Sequence, residues 1–254
     1  MLPRAVDWQT YGGVLFDLDG VLTNTASAHA TAWKQMFDEF LRRRAAHDHQ
    51  PFRPFDIQSD YRAYVDGKPR ADGVTSFLSS RGIVLPRGAV DDPPDRETVH
   101  GLGNRKNELL LRALDRDGVA VFADGIALLR ALRARGIATA VVTSSKNCAE
   151  VLHATSITEG FDAIVDGNVV EQLALRGKPA PDAFERAAAM LGVGPGQCVV
   201  IEDAIAGVEA GRAGGFGLVI GVDRARPPGA MSDALRAAGA DIVTTDLTTL
   251  LAAP

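Results

Sequence analysis

Two pairs of acidic residues stand directly after short apolar runs, in positions that could support metal-dependent chemistry. Asp17 and Asp19 follow the run at 13–16, and Glu202 and Asp203 follow the run at 198–201. An extended backbone turns residues two positions apart to the same side, so Asp17 and Asp19 can act on one substrate. Each apolar run is typical of a buried strand that delivers carboxylates at its C-terminal end.

If the two strand ends meet, four carboxylates converge and a cation is needed. Two like charges about 4 Å apart repel by about 4 kcal/mol at an effective dielectric constant of 20. Mg²⁺ suits such a site because it binds oxygen ligands and keeps places for waters and a phosphate. Two plainer interpretations stay open: a solvated turn for the first pair, and acids favoured by a helix dipole for the second.

Hydroxyls and one lysine complete the polar set. Thr143, Ser144 and Ser145 follow a predicted strand at 137–142 and precede a predicted helix, where hydroxyl and free N–H groups can hold a phosphate. Lys178 lies in a proline-rich loop before another predicted helix and can offset carboxylate and phosphate charge. Ordinary helix capping and a surface lysine are the alternatives for these residues.

The elements that must position these groups alternate along the chain. Strands are predicted at 13–16, 137–142, 163–165, 198–201 and 217–220, with helices at 123–135, 146–154, 181–191 and 204–213 between them. This alternation predicts an α/β fold with a Rossmann-like open parallel sheet flanked by helices. Ligands of such sheets bind outside the carboxyl ends of the strands, where the polar groups stand.

Residues 27–112 interrupt the alternation. Apolar positions at helical spacing predict helices within 27–45, 61–65, 74–78 and 109–114, and a surface loop is predicted at 87–94. We therefore predict an inserted all-helical cap domain at 27–112, and a core domain made of 1–26 and 113–254.

Composition narrows the class of protein. The net charge of −5 over 254 residues gives no general attraction to nucleic acid or anionic membrane. The first ten residues and the longest apolar runs predict neither a signal peptide nor a membrane span. Cys148 and Cys198 are expected to be buried thiols, which fits a cytoplasmic location. We also expect a monomer.

The order of the motifs resembles the haloacid dehalogenase superfamily. The matching segments are Asp17-Leu-Asp-Gly20, Thr143-Ser-Ser145, Lys178-Pro-Ala-Pro-Asp182 and Glu202-Asp-Ala-Ile-Ala-Gly207. Within it, the chain is similar to the β-phosphoglucomutase group through segments 19–25, 67–70, 105–107 and 144–147, together with His29 and Trp33. The similarity spans the core and much of the cap.

The resemblance implies a role for each core residue. Asp17 would be the nucleophile that becomes an aspartyl phosphate, and Asp19 the general acid and base. Thr143 and Lys178 would hold the transferring phosphoryl group. Mg²⁺ would be bound by Asp17, Glu202, Asp203 and the backbone carbonyl of Asp19. An acid at position 19 argues against a dehalogenase.

A mutase must also hold the second phosphate of a sugar bisphosphate. We infer a bidentate clamp from Arg70, assisted by Lys146 and Asn147. The resemblance adds His29 as the residue that couples cap closure to Asp19, and Lys106 as a cap contact. The alternatives are that His29 faces solvent and that Arg70 and Lys106 are surface charges. The full substrate-binding set is Thr25, His29, Trp33, Gly67, Arg70, Lys106, Ser144, Ser145, Lys146 and Asn147.

The function predicted first is a mutase that moves phosphate between C1 and C6 of a β-hexose. A sugar-phosphate phosphatase with the same nucleophile is the alternative. A phosphorylatable receiver is disfavoured by the order of its motifs, and an inactive phosphate-binding module by the presence of both Asp17 and Asp19. Asn24, Thr143 and an extra cap stretch at 81–100 depart from the family pattern, and that stretch weakens the assignment of the sugar.

Overall fold

The computed structural model describes residues 6–155, 157, 160–225 and 227–251. It divides into two compact units, Thr25–Gly118 and the combination of Met1–Asn24 with Val119–Pro254. Residues 1–5, which belong to the segment interpreted as lacking a signal peptide, lie outside the described part. Every helix within the described residues is too short or too polar to reach across a lipid bilayer.

The larger unit contains a parallel sheet in the order β3-β2-β1-β4-β5-β6. Its strands are β1 (Gly13–Phe16), β2 (Ala138–Val142), β3 (Ala163–Val165), β4 (Cys198–Glu202), β5 (Leu218–Val222) and β6 (Ile242–Thr244). β1 and β4 are buried along their whole length, which is why both read as continuous apolar runs. The predicted α/β class is confirmed.

Helices alternate with these strands along the chain. They are α4 (Ala123–Ala134), α5 (Cys148–Ala154), α6 (Gly167–Gln172), α7 (Asp182–Met190), α8 (Ile205–Ala213) and α9 (Ser232–Ala237), with 3₁₀ turns at Trp8–Thr10, Pro195–Gln197 and Leu247–Leu251. The sheet and helices share one apolar cluster that includes Leu15, Val200 and Phe184. Cys148 and Cys198 are buried free thiols, as predicted.

The second unit has only helices as regular structure. These are α1 (Ala26–His47), a π-helical turn (Tyr61–Val65), α2 (Arg70–Ser80) and α3 (Val99–Asp117). Their core is aromatic: Phe37 lies 4.3 Å from Phe77 and 5.1 Å from Phe55, measured between ring centroids. The inserted helical character predicted from the sequence is confirmed.

Several element boundaries differ from the prediction. The helices predicted at 74–78 and 109–114 are parts of the longer α2 and α3, because tertiary packing carries both helices through glycines that local propensity disfavours. Position 112 therefore lies inside α3, whose C-cap is Gly118. The helix predicted from 146 begins at Cys148. Neither α6 nor the elements after β5 were predicted.

Candidate active site

Lys178 links the ends of three neighbouring strands. Its ammonium donates to Asp17 Oδ1 at 2.6 Å, to Glu202 Oε1 at 3.0 Å and to the carbonyl of Val142 at 3.1 Å. Asp17 directly follows β1, Glu202 ends β4 and Val142 ends β2. The pairing of β1 with both β2 and β4 thus brings distant segments together at the carboxyl edge of the sheet.

The ionisation of Asp17 is strongly perturbed. Burial raises the pKa of this carboxyl well above its ordinary value, and the negative charge of Glu202 raises it further. The ammonium of Lys178 acts in the opposite direction but does not cancel these effects. A cation near Asp17 would favour its carboxylate form.

Lys178 remains charged despite a side chain that is only 1% exposed. Burial alone would lower the pKa of its ammonium, but the charges of Asp17 and Glu202 outweigh that effect and raise the pKa above its ordinary value. The ammonium also lies 4.9 Å from the ring centroid of Phe184, on α7. This lysine is a fixed positive charge among carboxylates.

The carboxylates of Asp17, Glu202 and Asp203 have the donor chemistry of a divalent-cation site. One oxygen from each lies within 4.8 Å of the others. Two glycines leave room for this cluster. A Cβ at Gly20 would overlap the Asp203 carboxylate, and a Cβ at Gly207 would overlap the Glu202 carboxylate. The cluster fits Mg²⁺, which prefers hard oxygen ligands, because Lys178 supplies one positive charge against three carboxylates.

Asp19 and Thr143 face one another in the same unit. The hydroxyl of Thr143 lies 3.4 Å from Asp19 Oδ2, and Asp19 is half-buried whereas Asp17 is buried. Gly20 follows with a backbone φ of +101°, which turns the chain sharply after the acidic pair. The two acids of this motif therefore have different surroundings, as two different roles require.

The predicted phosphate cradle lies in the loop between β2 and α5. The Thr143 hydroxyl accepts a hydrogen bond from the amide of Ser145 at 3.0 Å, and the Ser145 hydroxyl accepts one from the amide of Asn147 at 3.2 Å. Ser144 is half-buried between them. Lys146 pairs with Glu171 of α6 at 2.7 Å, a partner that sequence reasoning missed because α6 was not predicted.

In the helical unit, Lys106 is buried beside two other predicted site residues. Its ammonium lies 3.1 Å from His29 Nδ1 and 5.2 Å from the ring centroid of Trp33. The interpretation of Lys106 as a surface charge is therefore wrong, because α1 and α3 pack around its side chain. The face of the Trp33 ring contributes to stabilising this cation.

Arg70 occupies the first position of α2. Its guanidinium donates to the side-chain carbonyl of Asn107, on α3, at 3.0 Å. Gly67 lies in the loop before α2, and Thr25 is the buried N-cap residue of α1. These residues and the Lys106 group belong to one compact unit, whereas Asp17, Asp19 and their partners belong to the other.

Sequence reasoning also missed Arg224, which follows β5 by two residues. Its guanidinium donates to the carbonyl of Gly20 at 3.0 Å and pairs with Asp124 at 2.9 Å. The available signal was the charged pair Asp223-Arg224 after an apolar strand, the same signal that identified Asp17 and Glu202.

Comparisons with known proteins find relatives over most of the chain. Residues 11–215 match the family model of haloacid dehalogenase-like hydrolases. The β-phosphoglucomutase of Mycobacterium tuberculosis is 52% identical over 237 residues, which cover 93% of this chain and 90% of that protein. The β-phosphoglucomutase of Bacillus subtilis is 33% identical over 242 residues, covering 92% and 91%.

A solved structure supports the fold. The crystal structure of β-phosphoglucomutase from Clostridium difficile superposes with a TM-score of 0.70, at 23% identity, over 94% of this chain and 93% of that one. The family model spans both acidic pairs, Thr143 and Lys178. The chain thus belongs to the haloacid dehalogenase-like hydrolase family, within its β-phosphoglucomutase-like group.

Proposed function

We propose that the chain is a Mg²⁺-dependent β-phosphoglucomutase that converts β-glucose 1-phosphate into glucose 6-phosphate through a phosphorylated Asp17. The observation that carries this proposal is the buried Lys178 ammonium between Asp17 and Glu202, with Asp203 beside them. Phosphoryl transfer requires mainly alignment and neutralisation of charge, which this arrangement supplies. The 52% identity to a β-phosphoglucomutase supports the sugar phosphate as substrate.

The first half-reaction phosphorylates the protein. A carboxylate oxygen of Asp17 attacks the C1 phosphorus of a β-glucose 1,6-bisphosphate, and the bond between that phosphorus and O1 breaks. Asp19, as the acid, gives its proton to O1, so that glucose 6-phosphate leaves. Lys178 and the Thr143 hydroxyl orient the oxygens of the transferring group.

The second half-reaction returns the phosphoryl group to a new substrate. The C6 hydroxyl of β-glucose 1-phosphate attacks the phosphorus on Asp17, and the carboxylate of Asp19 takes the hydroxyl proton. Asp17 is released as a carboxylate, and the bisphosphate must turn around before the next transfer. Asp19 thus alternates between acid and base, with no net change in protons.

The acidic cluster would hold the metal ion. Asp17, Glu202 and Asp203 would be its carboxylate ligands, and the resemblance adds the backbone carbonyl of Asp19. When bound, Mg²⁺ supplies positive charge that balances the phosphoryl oxygens and the three carboxylates.

Arg70 would bind the phosphate that is not being transferred, with Lys146 and Asn147 contributing from the loop after β2. The hydrogen bond from the Arg70 guanidinium to Asn107 restricts the orientation of Arg70. We expect Arg70→Ala to lower mutase turnover far more than hydrolysis of p-nitrophenyl phosphate, which has no second phosphate. Equal losses in the two assays would remove Arg70 from this role.

The deciding experiment supplies β-glucose 1-phosphate, Mg²⁺ and a trace of β-glucose 1,6-bisphosphate, and follows glucose 6-phosphate and inorganic phosphate by ³¹P NMR. We expect glucose 6-phosphate to account for nearly all of the consumed substrate. Asp17→Asn is the matched control for contaminating activity. Release of inorganic phosphate in step with substrate loss would instead identify a sugar-phosphate phosphatase. A monomeric state and a cytoplasmic location remain predictions.

A further inference from the structure

We propose that Arg224 is a positioning residue for the acidic loop at 17–23 and thereby for the divalent-cation site. The loop carries Asp17 and Asp19, and its own turns together with backbone hydrogen bonds from Asp17 to Ile201 and from Phe122 to Leu22 also hold it. This inference rests on the proposed function for its catalytic consequence, but its effect on cation binding can be measured without turnover.

The contacts of Arg224 fasten the loop at adjacent carbonyls. Nε donates to the carbonyl of Gly20 at 3.0 Å, and Nη2 lies 3.4 Å from the carbonyl of Val21. On its other edge the guanidinium pairs with both carboxylate oxygens of Asp124, at 2.9 and 3.0 Å. Its Cζ atom also lies 3.9 Å from the ring centroid of Phe122.

Gly20 transmits this constraint to the cation site. Its amide donates to the carbonyl of Thr23 at 2.8 Å, so both polar backbone groups of Gly20 are held. The space where a Cβ would stand is filled by the Asp203 carboxylate, one of the three clustered acids. A shift of Gly20 therefore moves the adjoining Asp19 on one side and presses on Asp203 on the other.

Arg224 is itself held firmly enough to act as a fixed point. The neighbouring Asp223 is buried, and its carboxylate accepts hydrogen bonds from the amides of Ala225 and Met231 and from the hydroxyl of Ser232. Asp124 additionally accepts the amide of Leu247 at 2.9 Å. Arg224 and its partner Asp124 are therefore both anchored in segments outside the acidic loop.

The role is geometric because Asp124 balances the charge of Arg224. The side chains are 16% and 15% exposed, so the pair is mostly removed from water. Only a planar guanidinium can donate to Gly20 and to both oxygens of Asp124 together. Arg224→Lys, which keeps the charge, should therefore fail to restore the function of the loop.

The test measures Mn²⁺ binding to the full chain by electron paramagnetic resonance, without substrate. We expect Arg224→Met and Arg224→Lys to weaken Mn²⁺ binding by about 10- to 100-fold, the usual effect of losing an outer-shell partner. In turnover assays of the same variants, kcat should fall while the KM for β-glucose 1-phosphate stays within a few-fold of the wild type.

Two control variants separate positioning from general destabilisation. Arg212→Met removes another arginine–aspartate pair of the same unit, with Asp241, away from the acidic loop. Leu132→Ala opens a cavity at the far end of α4, and it is compared with Arg224→Met at temperatures giving the same folded fraction. Both controls should bind Mn²⁺ like the wild type.

Wild-type Mn²⁺ affinity in Arg224→Met, or an equal loss in Leu132→Ala, would overturn the inference. If Arg224→Met does not fold, Arg224→Lys alone carries the test, and normal Mn²⁺ binding by that variant would also overturn it. A wild-type chain that binds Mn²⁺ in an Arg224-dependent way but lacks mutase activity would contradict the proposed function and leave the positioning role standing.

Discussion

Each of the two compact units contains a buried lysine, and the two have different neighbours within their own units. Lys178, in the α/β unit, lies between the carboxylates of Asp17 and Glu202. Lys106, in the helical unit, lies over the Trp33 ring and beside His29. The first is part of an acidic cluster whose negative charge exceeds its positive charge, which favours a metal ion. The second lies beside two ring side chains of its own unit, and we expect its positive charge to attract an anionic ligand.

The two sites therefore depend on their surroundings in different ways. Removing one partner from a buried ion pair leaves an uncompensated charge, so the α/β site couples catalysis to stability. Lys106 contacts the Trp33 ring and the His29 imidazole within its own unit, and methionine can keep the contact with the ring. Substitutions of the two lysines should therefore have different consequences.

Lys178→Met should have the largest effect. Breaking a buried ion pair costs about 3–5 kcal/mol of unfolding free energy, and the remaining carboxylates repel one another. We expect little turnover, a lower Tm and a larger increase of Tm with added Mg²⁺ than in the wild type. Calorimetry with and without Mg²⁺ measures both changes in Tm. A variant with unchanged Tm in both conditions would contradict the described ion-pair cluster.

Lys106→Met should act mainly on the substrate. We expect mutase kcat/KM to fall by about 10- to 100-fold, as for a lost hydrogen bond to a charged group, because the substrate loses a cation. The Tm should change far less than in Lys178→Met, since methionine can occupy the space against Trp33. Steady-state kinetics and calorimetry on the same preparation check both parts. A loss of Tm as large as that of Lys178→Met would erase the distinction between the two lysines.

The smallest of the expected effects concerns Asp124, whose contribution to the stability of the protein should depend on pH. Burial raises the pKa of this carboxyl, but the hydrogen bonds from Arg224 and the Leu247 amide outweigh burial and hold the pKa below its ordinary value. A lowered folded-state pKa stabilises the protein above the unfolded-state value of about 3.9 and loses that contribution as the pH falls through the folded-state pKa.

Calorimetry of wild type and Asp124→Asn between pH 3 and pH 7 therefore gives the comparison. The variant should melt a few degrees lower at neutral pH, and the difference should shrink as the pH falls below about 4. A difference in Tm that is constant across this range would mean that the charge of Asp124 does not contribute.

Much of the α/β site is predictable because the sheet topology fixes it. Asp17 and Glu202 were recognisable from buried strands that end in acids, and parallel pairing of β1 with β4 brings those ends together. The lysine was singled out by its rigid loop and by the order of motifs. No periodicity indicates which strand end its ammonium reaches, because that depends on the packing of α7.

The less predictable features are those whose partners lie far along the chain. Arg224 and Asp124 are 100 positions apart, and neither carries a local signature of the other. The length of α3 was underestimated because Gly101 and Gly103 lower its helix propensity, while packing of α1 against α3 decides the outcome. Lys106 lies in the part of α3 that was not predicted, so a surface position for this lysine stayed open.

Chemical trapping of the phosphorylated residue tests the central claim most directly. The chain is mixed with β-glucose 1,6-bisphosphate and Mg²⁺, quenched, and reduced with borohydride, which converts an aspartyl phosphate into homoserine. Tandem mass spectrometry should then find homoserine at position 17, and none in Asp17→Asn. Turnover that proceeds with position 17 unmodified, or with the phosphoryl group on another residue, would contradict the account.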